Sequence, residues 1–308
     1  MSVLSAPHFH NEKAAYAYVE ARLWPEGPIC PHCGGVERIS KMGGKSTRIG
    51  AYKCYQCRKP FTVKIGTIFE ASHVPMRYWL QAIYLYSASK KGFSANQLHR
   101  TLGVTLKTAW FMAHRIREAM REGHLGPFGM GGATVEVDET FIGIDPAQAP
   151  NRGPHSKMKV LSLIERETGR ARSMVFDHLS MQDVVPLVEA NLHREAHLRT
   201  DESTLYIQMG KGFASHETVS HNRDEYVRAN DPSVHTNTVE GFFSIFKRGM
   251  KGVYQHCGKQ HLHRYLAEYD FRYSYRIALG VDDGARADQL LSGVVGKRLT
   301  YRTASEQA

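Results

Sequence analysis

Residues 133–143 read ATVEVDETFIG. Val135 and Val137 alternate with polar neighbours, the period-two pattern of a strand that buries one face, and Asp138 stands at that strand's end. KVLSLIER (159–166) and ARSMVFD (171–177) follow with the same Val, Ile and Leu content and read as neighbouring strands. Residues 181–193 suit a helix, LRTD (198–201) a short strand closing on Asp201, and 236–250 a strong helix. Strands in a row, then helices and strands in alternation, imply a mixed sheet with helices packed on it.

The last of these helices carries its own signal. In HTNTVEGFFSIFKRG (235–249), Val239, Phe242, Phe243 and Phe246 fall at i, i+3, i+4 and i+7 and form a core-facing stripe. That stripe fixes the rotation, and Glu240 then shares a side with Ser244 and Lys247. Asp138, Asp201 and Glu240, separated by 62 and 38 residues, thus stand at two strand ends and on one amphipathic helix. Two divalent ions ~4 Å apart need several hard oxygen ligands, which carboxylates so placed can supply. With 30 acidic residues in the chain, the placement carries this reading and the mere presence of carboxylates does not. Glu139 and Glu202 each follow a candidate ligand directly, and a strand sends neighbours to opposite faces, so neither is expected to ligate. Lys247, Arg248 and Lys251 form a basic run that a DNA strand reaching the carboxylates would need. His235, His256, His261 and His263 fit no closed zinc spacing and read as phosphate or solvent contacts. Tyr254 reads as a core aromatic, with stacking on a base as the alternative.

At the other end of the chain, Cys30-Pro-His-Cys33 and Cys54-Tyr-Gln-Cys57 lie 20 residues apart. Two Cys-x-x-Cys turns supply the four thiolates of a tetrahedral zinc site. Four thiolates leave no open coordination position, so this zinc is expected to be structural. Tyr52 and Phe61 flank the second pair as a small core, and Gly34-Gly35 lets the first turn reverse. His32 reads as exposed and Cys257 as a free thiol.

Before the ribbon, residues 11–24 read as a short helix, and after it Pro75 opens another through Tyr86. Residues 90–121 then read KKGFSANQLHRTLGVTLKTAWFMAHRIREAMR. Ser94 and Gln97 make a capping box, with Leu98 and Leu102 on the buried side. Gly103 sits at the turn, and Thr105 caps a second helix lined by Ala109, Ala113 and Ile116. This is a helix-turn-helix pattern, and Lys107, Thr108, Phe111 and Arg115 are its expected DNA contacts.

Composition narrows the partners. The chain has 308 residues, 42% hydrophobic and 23% charged, with a net charge of +10. Residues 1–128 hold 18 Lys and Arg against 7 Asp and Glu, so the whole basic excess lies there. A polyanion such as nucleic acid is the natural partner of that field. No apolar run reaches the ~18 residues of a membrane span, and the start MSVLSAPHFHNEK shows no secretory signal. The paired cysteine spacing fits a reducing compartment, and a cytoplasmic, nucleoid-associated protein is expected. The Gly-rich stretch GHLGPFGMGG marks a linker where the charge balance changes. The expected plan is an N-terminal helix (1–27), a zinc ribbon (28–70), a helical region with the helix-turn-helix (71–122), a linker (123–132), a catalytic domain (133–280) and a C-terminal tail (281–308).

CPHCGG, YKCYQCRKPFTVKIGTIFE, VEVDETFIG, LRTDES and HTNTVEGFFSIFKRGMKGVY, in that order, resemble the DDE-class bacterial insertion-sequence transposases of the ISXO-like subgroup with an N-terminal zinc ribbon. The resemblance covers most of residues 25–275. It implies a multidomain α+β and α/β chain: ribbon and helix-turn-helix followed by a ribonuclease H-like domain, a mixed sheet flanked by helices. It further implies two Mg2+ or Mn2+ ions on Asp138, Asp201 and Glu240, with Lys247 against the transposon end. Asn237, one turn before Glu240 on the same side, is the alternative third ligand or a helper. The implied partners are double-stranded DNA, as transposon ends and as target, and further copies of the chain in a homodimer or larger oligomer. The implied activity is binding of terminal inverted repeats, phosphodiester hydrolysis and transfer of the freed 3′-hydroxyl into target DNA. A DNA-binding regulator with an idle catalytic fold and a structure-selective ribonuclease H-like nuclease are the alternatives.

Overall fold

The computed structural model describes residues 2–121, 126–147, 156–220 and 226–299. The chain divides into two compact units, Met1–Arg121 with Val281–Ala308, and Glu122–Gly280.

The first unit opens with α1 (Glu12–Leu23), capped by the Asn11 side chain. A three-stranded antiparallel sheet follows: β1 (Ile39–Lys41), β2 (Tyr52–Cys54) and β3 (Pro60–Phe61). Its small core is Cys30, Tyr52, Cys54 and Phe61, with Trp24, Ile39 and Ile65 packed on it. Next comes α2 (Met76–Ala88), whose N-cap Pro75 can offer no side-chain cap. The Glu12 carboxylate of α1 substitutes, accepting from the backbone N–H of Met76 and Arg77 at 2.6 and 3.2 Å. Helix α3 (Ala95–Leu102) starts on a Ser94–Gln97 capping box and stops at Gly103, whose φ of +66° terminates it. Helix α4 (Leu106–Met120) begins on Thr105 and buries Ala109, Met112, Ala113 and Ile116.

The second unit is built on β4 (Thr134–Ile142), β5 (Met158–Glu165) and β6 (Ala171–Phe176), then α5 (Met181–Asn191), β7 (His197–Asp201), α6 (Thr204–Gly210), β8 (Ser215–Val219), α7 (Asn237–Gly249) and α8 (Lys259–Ser274). The sheet order is β6-β5-β4-β7-β8. The pairs on the β6 side are antiparallel, and β4–β7 and β7–β8 are parallel, so the sheet is mixed as expected. Val135 and Val137 are fully buried against Val184 and Val188 of α5 and Leu205 and Tyr206 of α6. Each such side chain contributes about 1.5–3 kcal/mol of burial. On the opposite face Ile142, Val160 and Ile164 pack on Val239, Phe242, Phe243 and Phe246 of α7 and on Leu262, Leu266 and Tyr269 of α8. The aromatic stripe read from the sequence is the seam that seats α7 on the sheet.

Two expected boundaries need correction. Phe128, assigned to a linker, is 2% exposed in the sheet's own core, and its backbone bonds Asn191 and His193. Residues 126–132 are therefore part of the second unit, and 123–125 lie outside the described residues. The expected tail contains α9 (Asp283–Ser292), which packs against α2, α1 and α4. Leu290, Leu291 and Val294 are buried, and Arg286 donates to the Ser87 carbonyl. Residues 300–308 lie outside the described residues.

Candidate metal centres

In the ribbon, Cys30 Sγ lies 3.6 Å from Cys57 Sγ, and Cys33 Sγ lies 3.7 Å from Cys54 Sγ. All four sulfur atoms fall within 4.8 Å of one another. Thiolates about 2.3 Å from a tetrahedral zinc stand roughly 3.8 Å apart, so the set fits that ion. Each turn is locked by its backbone. Gly34, at φ +73°, donates to the Cys30 carbonyl, and Cys54 N–H donates to the Lys59 carbonyl. The N–H groups of Cys57 and Gln56 lower the Cys54 thiol from its ordinary range, whereas burial and the neighbouring sulfurs raise that of Cys33.

The second centre lies where β4 and β7 separate. Their parallel ladder sets Thr134, Val135 and Glu136 opposite His197, Leu198 and Arg199. Past the end of that ladder, Asp138 and Asp201 remain near enough for the Asp201 charge to act on the Asp138 carboxyl. Both side chains share the face on which α7 lies, since Val135, Val137 and Leu198 point into the opposite core. Glu240 enters from the first turn of α7, its Oε1 accepting from Thr236 Oγ1 at 2.9 Å. Asp138 Oδ1 accepts from Glu139 N–H at 2.8 Å, and Asp201 Oδ1 from Ser203 N–H at 2.9 Å. Burial, reinforced by the charges of Glu139, Asp201 and Glu240, pushes the Asp138 carboxyl up to about 8. Burial also raises Glu139, although its bond from Tyr206 Oη on the α6 side opposes the shift. A half-buried group of carboxylates around Asp138 is a donor set suited to hard divalent cations. Among the described residues only the four cysteines bring three or more such donors within 4.8 Å of one another.

Both units of the chain match known proteins. Residues 130–274 match the ISXO2-like transposase domain, and residues 10–60 match the transposase zinc-ribbon domain. The chain thus joins a transposase zinc ribbon to an ISXO2-like transposase domain. A protein of transposable element ISH50 from Halobacterium salinarum, itself uncharacterized, is 28% identical over 285 residues, covering 86% of this chain and 91% of the relative. A simian T-cell lymphotropic virus intasome in complex with the PP2A regulatory subunit B56 gamma, solved by cryo-EM, overlaps 56% of this chain and 63% of the matched chain. The identity there is 13% and the TM-score 0.29, a likeness that carries no argument.

In the transposase the remaining expected residues fall into distinct settings. Lys247 is half-buried on α7 within electrostatic reach of Asp138, and burial lowers its ammonium from the usual lysine range. Asn237, Arg248 and Lys251 are exposed. Of the histidines, His235 sits against Arg166 and Glu136, whereas His256 and His263 are exposed. Tyr254 donates to Glu268 and packs edge-on to Tyr265 and Tyr269, the core role. On α4, Lys107 is exposed, Thr108 is half-buried against Thr105, and Phe111 is half-buried beneath the Arg115 guanidinium. Arg115 itself corrects the expectation of a DNA contact. It is 4% exposed and donates to the carbonyls of Ile68, Glu70 and Leu299. Trp110, one turn after Lys107 and 37% exposed, occupies the surface of α4 instead. Glu136 was also missed, although it alternates with Asp138 on the same face. No described helix is long and apolar enough to cross a membrane.

Proposed function

We propose that this transposase binds the terminal inverted repeats of its element through the zinc-bearing first unit. The second unit then hydrolyses the phosphodiester at each end and directs the freed 3′-hydroxyl into target DNA. The observation that supports the reading is the largely buried Asp138 carboxyl, on which the charges of both Asp201 and Glu240 act. These carboxylates would hold two Mg2+ or Mn2+ ions, which supply an acidified water or 3′-hydroxyl and neutralise the leaving oxygen. Glu240 is favoured over Asn237 as third ligand, because its charge acts on Asp138 and offsets a dication. Lys247 neutralises a phosphate beside Asp138, and Lys107 with the α4 surface holds the duplex. Hydrolysis and strand transfer are both in-line displacements, so one carboxylate set serves both and no covalent protein–DNA bond is required. Four thiolates on zinc keep the ribbon folded for end binding. Pairing two ends calls for at least two copies of the chain, acting on DNA in the cytoplasm.

The test is a magnesium-dependent nicking and joining assay on a duplex carrying the terminal repeat. The wild type yields both nicked and joined products, and Asp138→Asn and Asp201→Asn bind the ends but yield neither. Cleavage retained in either variant refutes the assignment. End binding without magnesium-dependent products in the wild type turns the reading to a regulator. Nicks at junctions without joining turn it to a nuclease.

A further inference from the structure

Glu136 is two residues from Asp138 on the same face of β4, and its side chain is fully buried. A buried carboxylate is tolerated only when its lone pairs are taken, and here each oxygen has two partners. Oε1 accepts from Arg166 Nε at 2.7 Å and lies 3.3 Å from His235 Nδ1. Oε2 accepts from the backbone N–H groups of Thr238 and Val239, both at 2.9 Å. With both oxygens so engaged, Glu136 has no capacity left for a metal. Those two N–H groups belong to the first turn of α7, the turn that carries Glu240.

The division of labour at that turn is informative. A threonine at the N-cap ordinarily caps its own helix. Thr236 makes no such bond, and its hydroxyl orients Glu240 instead. The capping has passed to a residue on another element, the strand that bears Asp138. Arg166 completes the brace. It is tied to β4 through its own N–H to the Thr134 carbonyl, and it donates to the carbonyls of Ser233 and His235 on the segment leading into α7.

We propose that Glu136 is a positioning residue that fixes Glu240 relative to Asp138 and thereby sets the affinity of the carboxylate site for divalent metal. The proposal rests on the assignment of Asp138 and Glu240 as ligands made above. Outer groups that orient metal ligands are typically worth about 10–100-fold in metal affinity. Glu136→Ala removes both halves of the brace and should weaken metal binding within that range. Glu136→Gln keeps one oxygen for the two N–H groups but turns an amide N–H toward Arg166, so it should weaken binding by a smaller factor, about three- to tenfold.

The experiment is Mn2+ titration of the full-length, zinc-loaded chain by electron paramagnetic resonance, paired with cleavage at graded Mn2+ concentrations. Wild type should bind Mn2+ that Asp138→Asn loses. Both Glu136 variants should bind it more weakly yet recover cleavage at high Mn2+, while end binding is unchanged. A merely structural loss would lower activity at every metal concentration. A folded Glu136→Ala with wild-type Mn2+ affinity overturns the inference. Should that variant not fold, wild-type affinity in Glu136→Gln does the same. Absence of any Mn2+ binding sensitive to Asp138→Asn overturns the ligand assignment itself, and the inference with it.

Discussion

Replacing Asp138 with asparagine should make the chain more stable while it abolishes cleavage. Burial and the charges of Glu139, Asp201 and Glu240 raise the Asp138 carboxyl from 3.8 to about 8 in the folded protein. The folded state therefore holds that proton more tightly than the unfolded state does. Its stabilising effect is complete below the unfolded value and is lost as pH rises through the folded one. At pH 7 the gap is worth on the order of 4 kcal/mol, at about 1.4 kcal/mol per unit. Relaxation and water entry around the ionised group leave about 1–3 kcal/mol of this to be recovered by a neutral isostere. For a unit of this size that is a rise in midpoint of roughly 2–10 °C. The assay is thermal unfolding of zinc-loaded wild type and Asp138→Asn between pH 4.5 and 8.5, without added magnesium. The curves should converge toward the acidic end and separate toward pH 8. Magnesium should then close the gap by stabilising only the wild type. An equal or lower midpoint for Asp138→Asn at pH 8 without magnesium would refute the argument that the site stores electrostatic strain.

Other outcomes follow from the same geometry. Cys54→Ser should lower the zinc content from about one per chain and abolish end binding, measured by atomic absorption and mobility shift, because the ribbon core is only a few side chains around the thiolates. Lys247→Ala should weaken DNA binding uniformly across sequences and reduce its salt slope by about one, with Mn2+ affinity retained. Arg115→Gln should cost about 2–4 kcal/mol in denaturant unfolding through the carbonyls of Ile68, Glu70 and Leu299 that it strands. An Arg115→Gln protein of wild-type stability with a reduced salt slope would restore the DNA-contact reading.

What could be read in the sequence followed local physics. The strands β4, β5 and β6 announced themselves through alternating or continuous β-branched runs, and α7 through its aromatic stripe. The cysteine pairs gave the ribbon, and Ser94, Gly103 and Thr105 gave the limits of α3 and α4. What failed depended on distant chain. Strand β8, Ser-His-Glu-Thr-Val, buries only Val219 and exists because the edge of β7 offers it a parallel ladder. Arg115 lay off the apolar stripe of α4, and helical phase alone assigned it to solvent. The carbonyls that draw it inward come from residues 68, 70 and 299. Glu136 shared Asp138's face in plain view, but its purpose emerged only once α7 was seated above it.

The return of α9 to the first unit also sets an order of events during synthesis. Its Leu290 and Leu291, with Val294 just beyond it, fill the interior of the first unit, yet they leave the ribosome after the whole second unit. If the first unit binds the transposon ends as proposed, a nascent or prematurely terminated chain lacks part of the interior behind that grip. Such fragments would compete poorly for the element's ends, so that occupancy is reserved for copies that already carry the means to cut.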